Sequence, residues 1–153
     1  MLKNFARLLP VVALALAAAL PTPASAAGGG GGGTGITVTV GSPTMSGRVL
    51  VDVPVTITCS APLAGQPVGF GFINVSVEQA FGKSVSHGSA GVGFSVCPAT
   101  PQTFDVLVTP DLYPTPSTAF HGGTAIATAS AGASDPTFTI FQGGSAGPLV
   151  VKL

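Results

Sequence analysis

The chain has 153 residues, of which 22 are glycine, 14 are proline and only 7% are charged. Five basic and five acidic residues cancel, so there is no basic stripe with which to hold DNA, RNA or anionic lipid. This length suits a single domain with a modest core.

Lys3 and Arg7 precede an apolar run from Leu8 to Leu20, and Ala24-Ser25-Ala26 follows as a small-residue cleavage site. That is the pattern of a secretory signal peptide over residues 1–26. The run is too short to span a bilayer, and no second long apolar run follows. The residue directly after the cleavage site is Ala27 and not a cysteine, so a lipid anchor is not expected. Without Lys3 and Arg7, the remainder keeps Arg48, Lys83 and Lys152 against five carboxylates, three minus five or a net of −2. The expected location is therefore outside the cell. Residues 27–35 hold the uninterrupted run Gly28 to Gly33, a flexible spacer, and a single domain is expected over 36–153.

Ile36, Val38 and Val40 alternate with threonines, the period-2 mark of a half-buried strand; Gly41-Ser42-Pro43 ends it. Extended structure resumes at Gly47. The interior Pro54 predicts an edge position or a bulge. From Val51 to Cys59, Val53, Val55, Ile57 and Cys59 share one side. Ala64-Gly65-Gln66-Pro67 reads as a turn. Between Val68 and Phe81 the apolar phase switches from Val68, Phe70 and Phe72 to Ile73, Val75 and Val77. The pattern fits a β-bulge near Phe72-Ile73, or a strand buried on both faces; the polar Asn74, Ser76 and Glu78 favour the bulge.

Lys83 to Gly91 is polar and glycine-punctuated and reads as a loop. Val92, Phe94 and Val96 then lie opposite Cys97, so if Cys97 points inward, either Val92 and Phe94 are partly exposed or the ladder bulges before Cys97. Phe104, Val106 and Val108 form another alternating strand, ended by Pro110. Asp111 to Gly123 is the longest irregular stretch. Thr124 to Ser130 alternates with alanines, and Phe138 to Phe141 and Leu149 to Val151 complete the strands.

Cys59 and Cys97 are the only cysteines, and in an exported chain they are expected to pair. Closing a loop of about 38 residues stabilises by roughly 4 kcal/mol on the chain-entropy model. Seven to nine short strands with turns between them predict an all-β fold, an immunoglobulin-like antiparallel β-sandwich without the tryptophan of antibody domains.

The segments VTITCSAP, FINVSVEQ, VCPATPQTFDVLV and FHGGTAIATASA, in that order, resemble small secreted single-disulfide β-sandwich domains of high-GC Gram-positive (actinobacterial) proteins. The resemblance covers about Val51 to Ala131. It implies the sandwich and export, and carries over no chemistry.

Catalysis finds little support. There is no G-x-S-x-G elbow, and His87 and His121 both fall in glycine-flanked polar segments. His87, His121 and Asp111 match no compact metal-ligand spacing, so neither a metal nor a cofactor is expected. Asn74-Val-Ser76 fits a glycosylation pattern but lies within a strand. The most suggestive surface stretch runs from Asp111 to His121, where Tyr113, Phe120 and His121 could grip a sugar or peptide. The plainer reading is that Tyr113 and Phe120 cover the end of the core. The expectation is a non-catalytic extracellular binding or envelope-associated module, with cell-wall polysaccharide or another extracellular protein as partner. The alternative is a self-assembling surface protein, since charge-poor strands such as GFGFINVSV can add edge to edge; a hydrolase stands third.

Overall fold

A computed structural model describes residues 35–47, 49–111 and 118–153. The expected signal peptide and nearly all of the glycine spacer lie outside the described residues. Eight antiparallel strands build the described part, with no helix: β1 (Ile36–Val40), β2 (Thr44–Ser46), β3 (Leu50–Cys59), β4 (Phe70–Phe81), β5 (Ser84–Gly93), β6 (Gln102–Pro110), β7 (Thr124–Ser134) and β8 (Phe141–Lys152). They are ordered β1-β3-β6-β5-β4-β7-β8, with β2 paired to β3 beside β1.

The order divides into two layers. In one, β3 pairs with β1 over Val55 to Cys59, with β2 over Leu50 to Asp52, and with β6 on its other side. In the other, β4 pairs with β5 and β7, and β7 with β8. Only Gly88–Pro110 and Ser89–Thr109 join the layers through β5 and β6. On the far side β1 packs along β8 and β7, so the sheet is partly rolled, like a barrel. A Cβ on Gly144 of β8 would stand 1.8 Å from the Ile36 carbonyl oxygen. Glycine is what lets β1 come this close.

The inward faces share one core. Val51, Val53, Val55 and Ile57 of β3 and Ile73, Val75 and Val77 of β4 are fully buried, each contributing about 1.5–3 kcal/mol relative to an exposed position. β7 offers only the alanines from Ala125 to Ala133 to this core, which leaves room for Ile36, Val38 and Val40 of β1 to cross it. Cys59 and Cys97 are bonded at a Cα–Cα distance of 5.8 Å and tie the end of β3 to the connection between β5 and β6.

Three expectations are corrected. Pro54 sits inside a central strand, neither at an edge nor at a bulge. Its carbonyl accepts from Gly41 N–H at 2.8 Å, so its backbone faces away from β6, toward the gap between the β1 and β2 pairings. No ladder donor is required there.

The polar segment from Lys83 to Gly91 is not a loop. From Ser84 it is β5, paired residue for residue with β4 from Phe81–Ser84 to Phe72–Gly93. Its inward positions are Ser86, Gly88, Ala90 and Val92, too small and polar to give an alternating signal. Gly88 is small of necessity, because a Cβ there would lie 2.2 Å from the Thr109 carbonyl oxygen and 3.0 Å from the Phe120 ring. Ser86 is fully buried, with its hydroxyl 2.7 Å from that of Thr118 and 3.1 Å from the Ala119 carbonyl that accepts from it.

There is no bulge at Phe72-Ile73. β4 runs in unbroken register with both neighbours. Ile73, Val75 and Val77 point inward, and Phe70 and Phe72 stand on the solvent face. As for Cys97, β5 ends at Gly93, and the chain then bonds irregularly to residues 65–71: Phe94 N–H to the Gly71 carbonyl, Val68 N–H to that of Ser95, and Cys97 N–H to that of Gln66. This break turns Cys97 inward while Val92 and Phe94 remain partly exposed. Phe138 belongs to the turn before β8, and β8 is continuous through Leu149 to Val151, with a register shift opposite Ala127 and Ala129.

Candidate binding face

The solvent face of β4, β7 and β8 is laid out in rows set by the register. One row reads Phe70, Ser134, Phe141; the next Phe72, Gly132, Gly143; the next Asn74, Ser130, Ser145. Phe70 is 54% exposed, Phe72 37% and Phe141 63%. Phenylalanine favours strands because it packs on a pleated surface, but three on the water side of one sheet form an apolar patch of the kind that marks a contact surface. The Phe70 and Phe72 ring centres are 5.2 Å apart at 38°, an attractive aromatic distance. A Cβ on Gly132 would come within 2.6 Å of the Phe72 ring, so this ring lies down over bare backbone. Ser134, between Phe70 and Phe141, is fully buried and its hydroxyl has no protein partner.

The turn joining β7 to β8 adds a fourth ring. The Asp135 carboxylate accepts from the N–H groups of Thr139 (2.8 Å) and Ile140 (2.7 Å), and from the hydroxyls of Thr137 and Thr139. The Thr137 hydroxyl first, then the Ile140 N–H, hold this carboxyl well below the usual carboxylate range. Phe138 has φ 57° and is 56% exposed. A bulky residue in the left-handed region costs about 1–3 kcal/mol, and the exposed ring recovers little of that by burial.

Beside Phe70 opens a cleft of about 650 Å³, where the two layers part beyond their short junction. Phe70, Phe94, Val96 and Phe104 line it together with Gly71 and Gln102. Phe94 and Phe104 rings stand 6.1 Å apart.

The residues singled out from sequence fall elsewhere. Phe120 is fully buried, so its ring belongs to the core and is closed to a ligand. His121 lies on the surface, its backbone clamped by the buried Gln79: the Gln79 amide donates to the His121 carbonyl at 2.6 Å, and the His121 N–H donates to Gln79 Oε1 at 2.8 Å. Its ring stacks at 4.8 Å on that of Phe81. Tyr113 lies outside the described residues.

His87 and Asp111 meet, with Nδ1 2.5 Å from Asp111 Oδ2, while Nε2 faces Glu78 Oε1 at 3.8 Å. Asp111 Oδ1 also accepts from Ser89 N–H at 3.2 Å. A hydrolytic set would place a nucleophilic hydroxyl on the Nε2 side of the imidazole, where a carboxylate stands instead. Among the described residues no group of three or more His, Cys, Asp and Glu side chains is arranged to hold a metal ion, and no helix is long and apolar enough to cross a membrane.

Sequence reasoning missed Phe70, Phe72 and Phe141 as surface residues. The signal was present in the phase switch between Val68 and Phe81, which placed two sets of apolar residues on opposite faces of one strand. Comparison with known proteins identifies no relative: no family model, no curated protein and no solved structure matches the chain.

Proposed function

We propose that the chain is a secreted, non-catalytic binding module that engages an extracellular or cell-envelope partner through the outer face of β4, β7 and β8. The observation that carries this reading is the exposure of Phe70, Phe72 and Phe141 on one face of the three strands β4, β7 and β8, whose opposite face is the core. Water-facing phenylalanines in register oppose solubility and contribute little to folding, so their use is in contact. The internal disulfide is compatible with an oxidising, extracellular setting.

The strand order also supports an immunoglobulin-like reading. β1 and β2, β3, and β6 oppose β5, β4, β7 and β8, with β1 and β2 sharing one side of β3, and β5 extends the layer of β4 as the added strands of variable-type domains do. The disulfide departs from that pattern: in antibody domains it bridges the second and penultimate strands, and here it runs from β3 to the connection between β5 and β6.

The test is to incubate oxidised protein with a washed cell-envelope fraction from a high-GC Gram-positive bacterium and measure what co-sediments, against a protein-only control. Saturable binding by a protein that is monomeric when alone supports the reading. Sedimentation in the control overturns it in favour of self-assembly.

A further inference from the structure

We infer that the partner of this face is a neutral glycan chain, lying across β4, β7 and β8 with sugar rings on Phe72 and Phe70 and hydroxyls on the row Asn74, Ser130, Ser145. The inference rests on the binding-module reading and names its ligand.

The chemistry of the face makes the choice. A sugar ring has an apolar C–H face and a rim of hydroxyls, so its receptor needs a flat aromatic surface beside neutral hydrogen-bonding groups. Phe72 supplies the flat surface because Gly132 gives it nothing to stand against. The next row along the strands carries an amide and two hydroxyls in register, and none of Asn74, Ser130 and Ser145 spends its side chain on a hydrogen bond within the described residues. One row further, Ser76 and Thr128 are bonded to each other at 2.6 Å, so the available polar row is narrow and adjoins the rings.

Charge decides against other partners. From Phe70 to Ser76 the outer face of β4 carries no charge, and neither do its register partners on β5, β7 and β8. The first ionisable side chains are Glu78 and His87 at one end; Asp135 at the other has its carboxylate occupied by the turn it organises. An anionic membrane surface or an acidic polymer would require cations here. Between the rings of this face the register places Ser134, Gly132 and Gly143, so the apolar surface is interrupted where the core of a protein interface would be continuous.

The experiment uses oxidised protein with three probes: chitin, cellulose, and peptidoglycan glycan strands stripped of peptide. The expected result is retention by at least one of them, about tenfold weaker for Asn74→Ala combined with Ser130→Ala, and displaced by soluble oligosaccharides of the same polymer. Both positions point to solvent, so the variant should keep the wild-type melting temperature; oligosaccharide competition tests the ligand on the unmutated protein in any case. Retention unaffected by both the polar variant and oligosaccharides overturns the assignment. Binding to the envelope fraction without binding to any bare glycan also overturns it, leaves the binding-module reading standing, and redirects the search to an envelope protein. Absence of binding to both removes the two readings together.

Discussion

The Phe72 ring lies across Gly132, so close that a single methyl group on the glycine would come 2.6 Å from a ring carbon. The neighbouring strand thus sets the aromatic platform by what it lacks. Gly132→Ala should leave the fold intact, since the clashing atoms belong to a ring that can swing into water, while binding to the envelope fraction weakens about tenfold. The check is a binding isotherm beside a thermal melt. A Gly132→Ala variant that binds like wild type shows that the ring's position is irrelevant.

Gly144 does a different job. Its neighbour is the Ile36 carbonyl, backbone that cannot turn aside. Gly144→Ala should force β1 away from β8 and destabilise the protein by about 1–3 kcal/mol, the usual range for overpacking, read as a lower midpoint in urea. Amide exchange should rise first in Ile36 to Val40, because that strand loses its support.

The Cys59–Cys97 disulfide closes a separation of 38 residues. On the chain-entropy model its removal costs about 4 kcal/mol, a large share of the roughly 5–15 kcal/mol that a domain has. Denaturation with and without reductant measures this, with Cys59→Ser/Cys97→Ser as a second route. An unchanged midpoint would show that the loop is held by its other contacts.

Acid should loosen the turn that carries Phe138. The folded-state pKa of Asp135 is depressed, by the Thr137 hydroxyl first. Its contribution is therefore complete above the ordinary carboxylate value of about 3.9 and is lost as pH falls below it toward the folded value. The amide signals of Thr139 and Ile140, which donate to this carboxylate, should shift and exchange faster in that window, and Asp135→Asn should show the loosened state already at neutral pH.

Much of the framework was legible in the sequence because alternation and burial coincide in β1, β3, β6 and β7. In β7 even alanines suffice, since Ala125 to Ala133 keep strict period 2. The disulfide followed from having two cysteines in a chain that looked exported. β5 escaped because its inward positions, Ser86, Gly88 and Ala90, make room for Phe120 and β6 and carry almost no hydropathy. The binding face escaped for the opposite reason. Phe70 and Phe72 are apolar, so reading them as core required a bulge that β4 does not have. Phe120 and His121, adjacent in a loop, are separated in role by burial alone, one filling the core and the other held at the surface by Gln79. Register with distant strands decides such cases, and a local pattern does not contain it.

The central claim is that three phenylalanines serve contact and not folding. Replacing Phe70, Phe72 and Phe141 together with serine tests it, with co-sedimentation on the envelope fraction and a thermal melt made on the same samples. The account predicts that binding disappears while the melting temperature stays within about 3 °C of wild type, because none of the three residues belongs to the buried core. Undiminished binding, or a melting temperature lowered by much more than that, would contradict it.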